Sequence, residues 1–157
     1  MPNDSAGLAD LLIRNQRTMI LATANPEPWS APVYYVYRNR RFYFFSSSNS
    51  RHVTEALATG RSAASIFHDS SHWREIEGLQ MDGALATVPI GSDAIEVFRS
   101  YVQKFPTVKD FFLDAALDFQ RFTDRFRTQM YAFVPDRVCY LNNRAGLGKR
   151  QEIELPA

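Results

Sequence analysis

Short runs of β-branched and aromatic residues, separated by polar or proline-containing turns, make up most of the chain. Such runs are typical of β-strands, because branched and aromatic side chains pack well on a pleated surface. Strands dominate and short helices interrupt them, so the pattern predicts a mainly β protein with peripheral helices (β+α). The predicted strands are Thr18–Ala24, Ser30–Tyr37, Arg41–Ser46, Ala63–His68, Glu77–Val88, Thr128–Val134 and Arg137–Leu141, with Arg38-Asn39-Arg40 and Pro135-Asp136 as turns.

Three segments have the spacing of amphipathic helices and carry residues that start or stop helices. They are Ser5–Gln16 with Asp4 or Ser5 as N-cap, Arg51–Thr59 stopped by Gly60, and a helix from a cap at Ser92 or Asp93 to about Lys104, ended by Phe105-Pro106. Apolar residues also recur at helical spacing between residues 108 and 126. This pattern predicts a packing surface rather than a cofactor contact, in one helix or two. Its members are Phe111, Phe112, Ala115, Ala116, Phe119, Phe122 and Phe126.

The length of 157 residues fits a single domain. Within it we expect an N-terminal helix in 1–17, a helical excursion in 91–126 and a C-terminal loop and tail in 142–157. The formal net charge of +1 gives no field that would attract nucleic acid or an anionic membrane. One cysteine, Cys139, excludes an intramolecular disulfide. The start of the chain does not resemble a signal peptide and the apolar runs are short, so we expect a soluble, cytoplasmic protein.

The serine-rich turn between the strand ending at Ser46 and the helix starting at Arg51 is the main candidate site. Unpaired N–H groups and the macrodipole at a helix N-terminus favour an anion. Hydroxyls of Ser46, Ser47 and Ser50 add neutral donors, Arg51 adds a charged fork, and His52 adds a further donor. These residue types suit a phosphate monoester. The alternative is a capped helix, with Ser50 as N-cap and the other serines in solvent.

Two segments, Ala31–Tyr37 and Phe42–His52, resemble the pyridoxamine 5′-phosphate oxidase-like, FMN-binding split-barrel family. In that family a strand ending in Thr or Ser leads into a Ser-Arg-Lys triplet that holds the FMN phosphate. Ser46 matches the hydroxyl position, and Ser50-Arg51-His52 matches the triplet, with histidine in place of lysine. Leu79–Leu85 is similar to the next long strand of the family. The resemblance is extended over most of the chain by Tyr101–Pro106 and Asn142–Arg150, which are similar to a small bacterial subgroup.

The resemblance implies a six- to seven-stranded antiparallel split β-barrel that forms a homodimer and binds FMN. The isoalloxazine ring would lie along Pro32, Val33, Tyr34 and Tyr35, held through backbone groups. Gln80 and Lys149 would approach it from the partner subunit. A half-open barrel cannot enclose a tricyclic ring alone, which also favours a second subunit.

The expected function is a flavin-dependent oxidoreductase acting on a small molecule, with NAD(P)H as a candidate electron donor. The flavin would supply the redox chemistry, so no catalytic residue is assigned. Genuine pyridoxamine phosphate oxidases carry a C-terminal Arg and Trp for their substrate, and the tail 151–157 has neither. Deazaflavin and haem are alternative cofactors. Haem-degrading relatives carry a C-terminal histidine, whereas the last histidine here is His72. A non-catalytic protein that binds or senses flavin or a phosphorylated ligand, and a barrel that only mediates interactions, are alternative functions.

Three other signals are weak. Gly146–Lys149 lacks the upstream glycine spacing and the following Ser or Thr of a nucleotide-binding loop. His68 and His72 would share a face only in a helix, and the serines between them indicate a loop, so no metal site is predicted. Nothing resembles a nucleophile elbow, so the sequence does not indicate a Ser-His-Asp arrangement.

Overall fold

The structure, a computed structural model, describes residues 4–111 and 119–157. The described residues form four α-helices and eight strands, together with 3₁₀ turns at Trp73–Glu75 and Pro106–Phe111. The helices are α1 (Ser5–Asn15), α2 (Arg51–Thr59), α3 (Ser92–Lys104) and α4 (Phe119–Phe126). The strands are β1 (Thr18–Ala24), β2 (Pro28–Tyr34), β3 (Val36–Arg38), β4 (Arg41–Ser46), β5 (Ser62–Phe67), β6 (Glu77–Thr87), β7 (Gln129–Asn142) and β8 (Arg150–Glu152).

All strand pairs are antiparallel and belong to one sheet, in the order β2-β1-β5-β6-β7-β4-β3, with β8 added to β7. The two end strands, β2 and β3, follow each other in the chain and are separated by Tyr35 alone. The sheet therefore curls until its ends meet, which gives a split barrel and confirms the predicted fold class. Pro28 and Pro32 lie in β2, where an edge strand tolerates a missing N–H.

Two apolar clusters occupy the two sides of the curled sheet. Inside the barrel, fully buried aromatic side chains from β4 and β7 pack with α1, whose Ile13 is also fully buried. Outside it, Phe45 of β4 packs against Phe98 of α3 and Phe122 of α4. Phe119 and Phe122 are buried in this second cluster, so they form the predicted packing surface. Phe112, Ala115 and Ala116, assigned to the same surface, lie outside the described residues.

Tyr35 divides the predicted strand Ser30–Tyr37 into β2 and β3. Its side chain is fully buried. Its hydroxyl donates to the Ile13 carbonyl at 2.6 Å, and its N–H donates to the Arg17 carbonyl at 3.1 Å. Because both groups are satisfied by the end of α1 and the following loop, the chain leaves the β2 ladder at this residue.

Three further features differ from the prediction, all of them after residue 90. The turn predicted at Pro135-Asp136 was wrong, because β7 runs through it. The β6–β7 pairing shifts by one residue here, with Asp82 opposite Arg137 and Gly83 opposite Pro135, so that Asp136 is an extra residue that bulges β7 beside the proline. Residues 142–157 are not only a loop and tail, since β8 pairs with Cys139–Leu141. Helix α3 starts after Gly91, which makes no side-chain cap, so the predicted cap at Ser92 or Asp93 was wrong.

None of the helices in residues 4–111 and 119–157 is long and apolar enough to cross a lipid bilayer.

Gly83 is the glycine with the closest approach to a neighbouring strand in the described chain. A Cβ at this position would lie 2.1 Å from the Val134 carbonyl oxygen and 2.8 Å from the Pro135 Cα, both backbone atoms. We expect Gly83→Ala to lower the free energy of unfolding by about 1–3 kcal/mol, since the bulge must shift. Urea unfolding measures the loss. Gly91→Ala is the control, because nothing lies within 4 Å of its added Cβ. An equal, small effect of both changes would contradict this.

Candidate functional site

The turn between β4 and α2 brings together three of the side chains predicted to bind phosphate. Ser46 Oγ lies 3.0 Å from Ser50 Oγ and 2.8 Å from His52 Nε2. Ser50 Oγ lies 3.4 Å from the same ring nitrogen. Two hydroxyls and an imidazole therefore converge at one point, all three half-buried at the end of a strand. Ser47, the fourth predicted residue, is exposed, and its hydroxyl accepts from the Asn49 N–H at 3.3 Å.

Ser50 stands at the N-cap position of α2 without capping it. Its hydroxyl donates to the Ser47 carbonyl at 2.7 Å, and it makes no side-chain cap hydrogen bond. The first N–H groups of a helix lack partners within the helix. The Val53 and Thr54 N–H groups donate to the Ser50 carbonyl, whereas those of Arg51 and His52 make no hydrogen bond among the described residues and stay available to an acceptor at the turn. Ser50 is thus the N-cap residue by position, as in the alternative interpretation, but the side-chain cap bond that this alternative implies is missing.

Arg51 is held by an acid and an aromatic ring that the sequence analysis did not single out. Its Nε donates to Glu55 Oε1 at 2.6 Å, and its guanidinium carbon lies 4.6 Å from the centre of the Trp29 ring. Thr23 Oγ1 donates to the other Glu55 oxygen at 2.6 Å. These hydrogen bonds from Thr23 and Arg51 lower the pKa of Glu55. Within the described residues the terminal guanidinium nitrogens make no hydrogen bond, so they are free to bind an anion.

His52 is neutral at pH 7 in this arrangement. Burial lowers the pKa of its imidazole below the ordinary value, because the charged form is disfavoured away from water. A neutral ring has one N–H. If that proton is on Nε2, a hydroxyl of Ser46 or Ser50 accepts it, and if it is on Nδ1, Nε2 accepts from a hydroxyl. Charge at the turn therefore comes mainly from Arg51.

The strand predicted to lie beside the isoalloxazine ring has two exposed and two buried side chains. Pro32 and Tyr34 are exposed, whereas Val33 and Tyr35 belong to the core inside the barrel. Only the backbone of Val33 and Tyr35 is left for a ligand, which is the type of contact that the resemblance implies. The contact itself stays a prediction.

Lys104, at the last turn of α3, lies at the other end of β2, and the sequence analysis did not assign it to the site. Its Nζ is 3.8 Å from the centre of the Tyr35 ring, and the neighbouring Phe105 stacks on Tyr34 at 4.8 Å. Burial, together with the nearby charge of Arg17, lowers the pKa of Lys104 to about 8. Neither cation forms an ion pair within the described residues. A lysine at the end of a helix is an ordinary pattern, so no sequence signal identified it.

Gln80 and Lys149 lie away from the turn within one chain. Gln80 is paired across the sheet with Ser65, Ser65 with Ile20, and Ile20 with Pro32. Three strand spacings, roughly 14 Å, therefore separate Gln80 from Pro32 on the same sheet face. Gln80 Oε1 accepts from Arg150 Nε at 3.1 Å. Lys149 closes a turn, its N–H donating to the Gly146 carbonyl at 3.0 Å. Their approach from a second subunit stays a prediction.

Comparison with known proteins establishes the fold. No protein-family model and no curated protein matches the sequence. A haem-binding protein from Mycobacterium smegmatis is 14% identical, with a TM-score of 0.72 over 98% of this chain and 59% of that one, so this chain spans less than two thirds of that neighbour. A FAD-binding protein from Mesorhizobium loti is 17% identical, with a TM-score of 0.63 over 95% of each chain. A pyridoxamine 5′-phosphate oxidase candidate from Listeria innocua is 12% identical, with a TM-score of 0.66 over 87% of this chain and 98% of that one. The chain thus has the split-barrel fold of pyridoxamine 5′-phosphate oxidase-like proteins.

The ionisation of His52 can be measured directly. In the ligand-free protein we expect its imidazole to titrate below about 6.5, because burial disfavours the charged form. Adding inorganic phosphate should raise that pKa, since a nearby anion favours the imidazolium. A pH series of NMR spectra follows both effects, and the His52→Gln variant assigns the resonance by its disappearance. A ligand-free titration at or above 6.5 would contradict the structure.

Proposed function

We propose that the protein binds FMN, with the phosphate at the turn formed by Ser46, Ser50, Arg51 and His52. The observation that carries this is the convergence of two hydroxyls and an imidazole beside an uncapped helix N-terminus. Such a cluster offers neutral donors, a backbone dipole and one guanidinium to a phosphate group. The family resemblance supports the same cofactor, and the name of one structural neighbour, a FAD-binding protein, supports a flavin.

The charges around the turn fit a phosphate monoester. Glu55 is the carboxylate nearest to Arg51, and both of its oxygens are engaged, one by Arg51 and one by Thr23. The acid therefore positions the guanidinium over Trp29 instead of leaving a bare negative charge. His52 is neutral without a ligand and can take a proton when a dianion binds. These features together favour a doubly charged group over a neutral one.

The flavin would lie along the exposed edge of β2, from the turn toward Tyr34. This strand pairs with β1 on one side only, so its backbone groups on the other side are open to a polar ring edge. Beyond Tyr34, the ammonium of Lys104 and the guanidinium of Arg17 place positive charge near the ring end of the groove. Such charge stabilises an anionic reduced ring or an acidic substrate.

We assign the protein as a flavin-dependent oxidoreductase acting on a small molecule. Bound FMN would supply the exchange of electrons, and the chain would supply binding, orientation and the electrostatic setting. A non-catalytic protein that stores or senses FMN uses the same cradle, and electron transfer distinguishes the two. Anaerobic NAD(P)H should bleach the flavin absorption of an enzyme that uses this donor and leave a storage protein yellow.

Haem is the second candidate ligand, because two structural neighbours are named for it. Besides the Mycobacterium smegmatis protein, the haem storage protein HutZ from Vibrio cholerae is 14% identical, with a TM-score of 0.67 over 84% of this chain and 91% of that one. Hydroxyls and a guanidinium suit a phosphate better than haem iron. Absorption spectra separate the two after incubation with equal amounts of FMN and haemin.

The Arg51→Ala variant tests the phosphate assignment. Losing a charge-assisted contact of about 1.5–3 kcal/mol should weaken FMN affinity roughly ten- to a hundred-fold. Arg14→Ala is a matched control, because Arg14 forms the same i,i+4 ion pair, with Asp10 at 2.7 Å, on a different helix. Fluorescence titration with FMN measures both variants. Equal affinities of the wild type, Arg51→Ala and Arg14→Ala would refute the assignment.

We also propose that the protein is a homodimer joined through the outer face of β1, β5 and β6. Helices α3 and α4 cover the outer face of β4 and β7. On β1 and β5 the outward residues are small or apolar and partly exposed, including Ile20, Ala22 and Ala63. Gln80 shares this face through its pairing with Ser65. A second copy packed here would cover that surface and bring Gln80 toward the partner's β2.

An Ala63→Glu variant tests the dimer. The residue is exposed in one chain, so a carboxylate there should leave the monomer folded, while burying it between two subunits is costly. We expect light scattering to give twice the chain mass for the wild type and the chain mass for this variant. Ala58→Glu, an exposed position on α2, should remain dimeric. A monomeric wild type would overturn the proposed dimer without affecting the phosphate site.

A further inference from the structure

A second cluster of polar side chains lies where β5 ends and β6 begins, and it shares no residue with the phosphate turn. Tyr140 donates its hydroxyl to Glu77 Oε2 at 2.8 Å. The other Glu77 oxygen is 3.3 Å from His68 Nδ1. His68 Nε2 is 3.0 Å from Ser70 Oγ. The four groups thus form one chain of polar contacts from a buried phenol to a half-buried hydroxyl, with hydrogen bonds at its two ends and an ion-pair distance between Glu77 and His68.

The order of atoms in this chain fixes its polarity. Burial and the neighbouring Glu77 raise the pKa of Tyr140, so the phenol stays protonated and donates to the carboxylate. A Glu77 carboxylate facing Nδ1 favours the tautomer with the proton on that nitrogen. Nε2 of His68 then presents a lone pair 3.0 Å from Ser70 Oγ, and the Ser70 proton, which is donated to the Glu75 carbonyl at 3.2 Å, reaches that nitrogen by rotation of the hydroxyl. Carboxylate, imidazole and serine are connected here through the same atoms as in hydrolytic triads.

Ser70 lies on a cleft of about 370 Å³. Exposed apolar side chains, Phe67 and Ile76, line the same cleft, together with Gln80 of the face proposed for the dimer. Ser71, the residue after Ser70, has an N–H with no hydrogen bond among the described residues. A free N–H directly after a nucleophilic serine is a common part of oxyanion holes. The cleft therefore has an apolar wall and a polar cluster, the combination expected of a small-molecule site.

We propose that Ser70, His68 and Glu77 form an acyl-transfer site for small uncharged carboxylic esters. Ser70 Oγ attacks the ester carbonyl carbon while its proton passes to His68 Nε2. The C–O bond to the alcohol then breaks, and the alkoxide takes that proton and leaves. Water, deprotonated by the same imidazole, then attacks the acyl carbon. The bond from that carbon to Ser70 Oγ breaks, and Oγ takes the proton back from His68 as the carboxylic acid leaves. Glu77 is a positioning residue that holds the ring and stabilises the imidazolium, and Tyr140 holds Glu77.

A purely structural role has a different signature. Ser70 Oγ also donates to the Glu75 carbonyl at 3.2 Å, so the cluster could simply hold the loop of residues 68–75 against the sheet. In that case its residues would affect stability and leave the hydroxyl no more reactive than an ordinary serine. The neighbouring Ser71 supplies the internal comparison, because it lies on the same loop without a histidine partner in the described chain.

A fluorophosphonate probe distinguishes these roles in the full-length protein without added flavin. The probe forms a P–O bond to an activated serine as fluoride leaves. We expect peptide mass spectrometry to find the adduct on Ser70 and not on Ser71, and the wild type to hydrolyse p-nitrophenyl acetate. Ser70→Ala should abolish both signals, and Ser71→Ala should preserve them. Because neither signal depends on FMN, failure here leaves the flavin assignment standing.

Two further variants test the relay. His68→Gln and Glu77→Gln should each slow labelling by at least about 100-fold. Circular dichroism checks that each variant is folded. If a variant is not folded, the labelling of the wild type alone decides the test. An unlabelled Ser70 in the folded wild type, or labelling at the same rate in folded His68→Gln, would overturn the acyl-transfer site. If the wild type is not labelled and Ser70→Ala has a lower melting temperature, the cluster has only the structural role of holding the loop of residues 68–75 against the sheet.

Discussion

The buried side chain of Tyr35 is the constraint on which the rest of this barrel depends. It stands where the two end strands of the sheet meet, and both its hydroxyl and its N–H are satisfied by the N-terminal helix and its following loop. A buried hydroxyl without a partner would cost about 1–3 kcal/mol. The chain can therefore pass from β2 to β3 only where α1 supplies an acceptor. One residue thus ties the N-terminal helix to the closure of the sheet.

That closure also creates the candidate site. Because β2 stays at the edge, one side of its backbone remains unpaired. Since β4 contacts β2 without pairing with it, the helix that follows β4 brings Arg51 over Trp29. Arg51 then bonds to Glu55, one turn further along α2, and lies over the Trp29 ring. Both contacts hold the guanidinium in place. The unpaired edge of β2, which leaves the barrel open, therefore lies next to the Arg51 guanidinium.

The sequence predicted local features better than relations between strands. Ser46, Ser50 and His52 converge as expected because a strand, a tight turn and a helix leave few arrangements for side chains so close in sequence. Thr23 and Trp29 could not be assigned to the site, since they reach it only through sheet register. The continuous β7 was missed because Pro135-Asp136 signals a turn, whereas the pairing with β6 makes Asp136 an extra, bulged residue within one strand. Glu55 was recognisable, four residues after Arg51 on a short helix.

Both ends of β2 have a cation above an aromatic ring, Arg51 over Trp29 and Lys104 over Tyr35. Six strand steps separate the two rings, a span of roughly 20 Å. The open edge of β2 therefore has a positive charge near each end. Only Lys104 loses its charge as the solution becomes mildly alkaline, because its pKa is about 8 and the Arg51 guanidinium stays protonated. At mildly alkaline pH β2 would therefore keep a positive charge only at its Arg51 end. That difference would distinguish the two ends of a bound molecule.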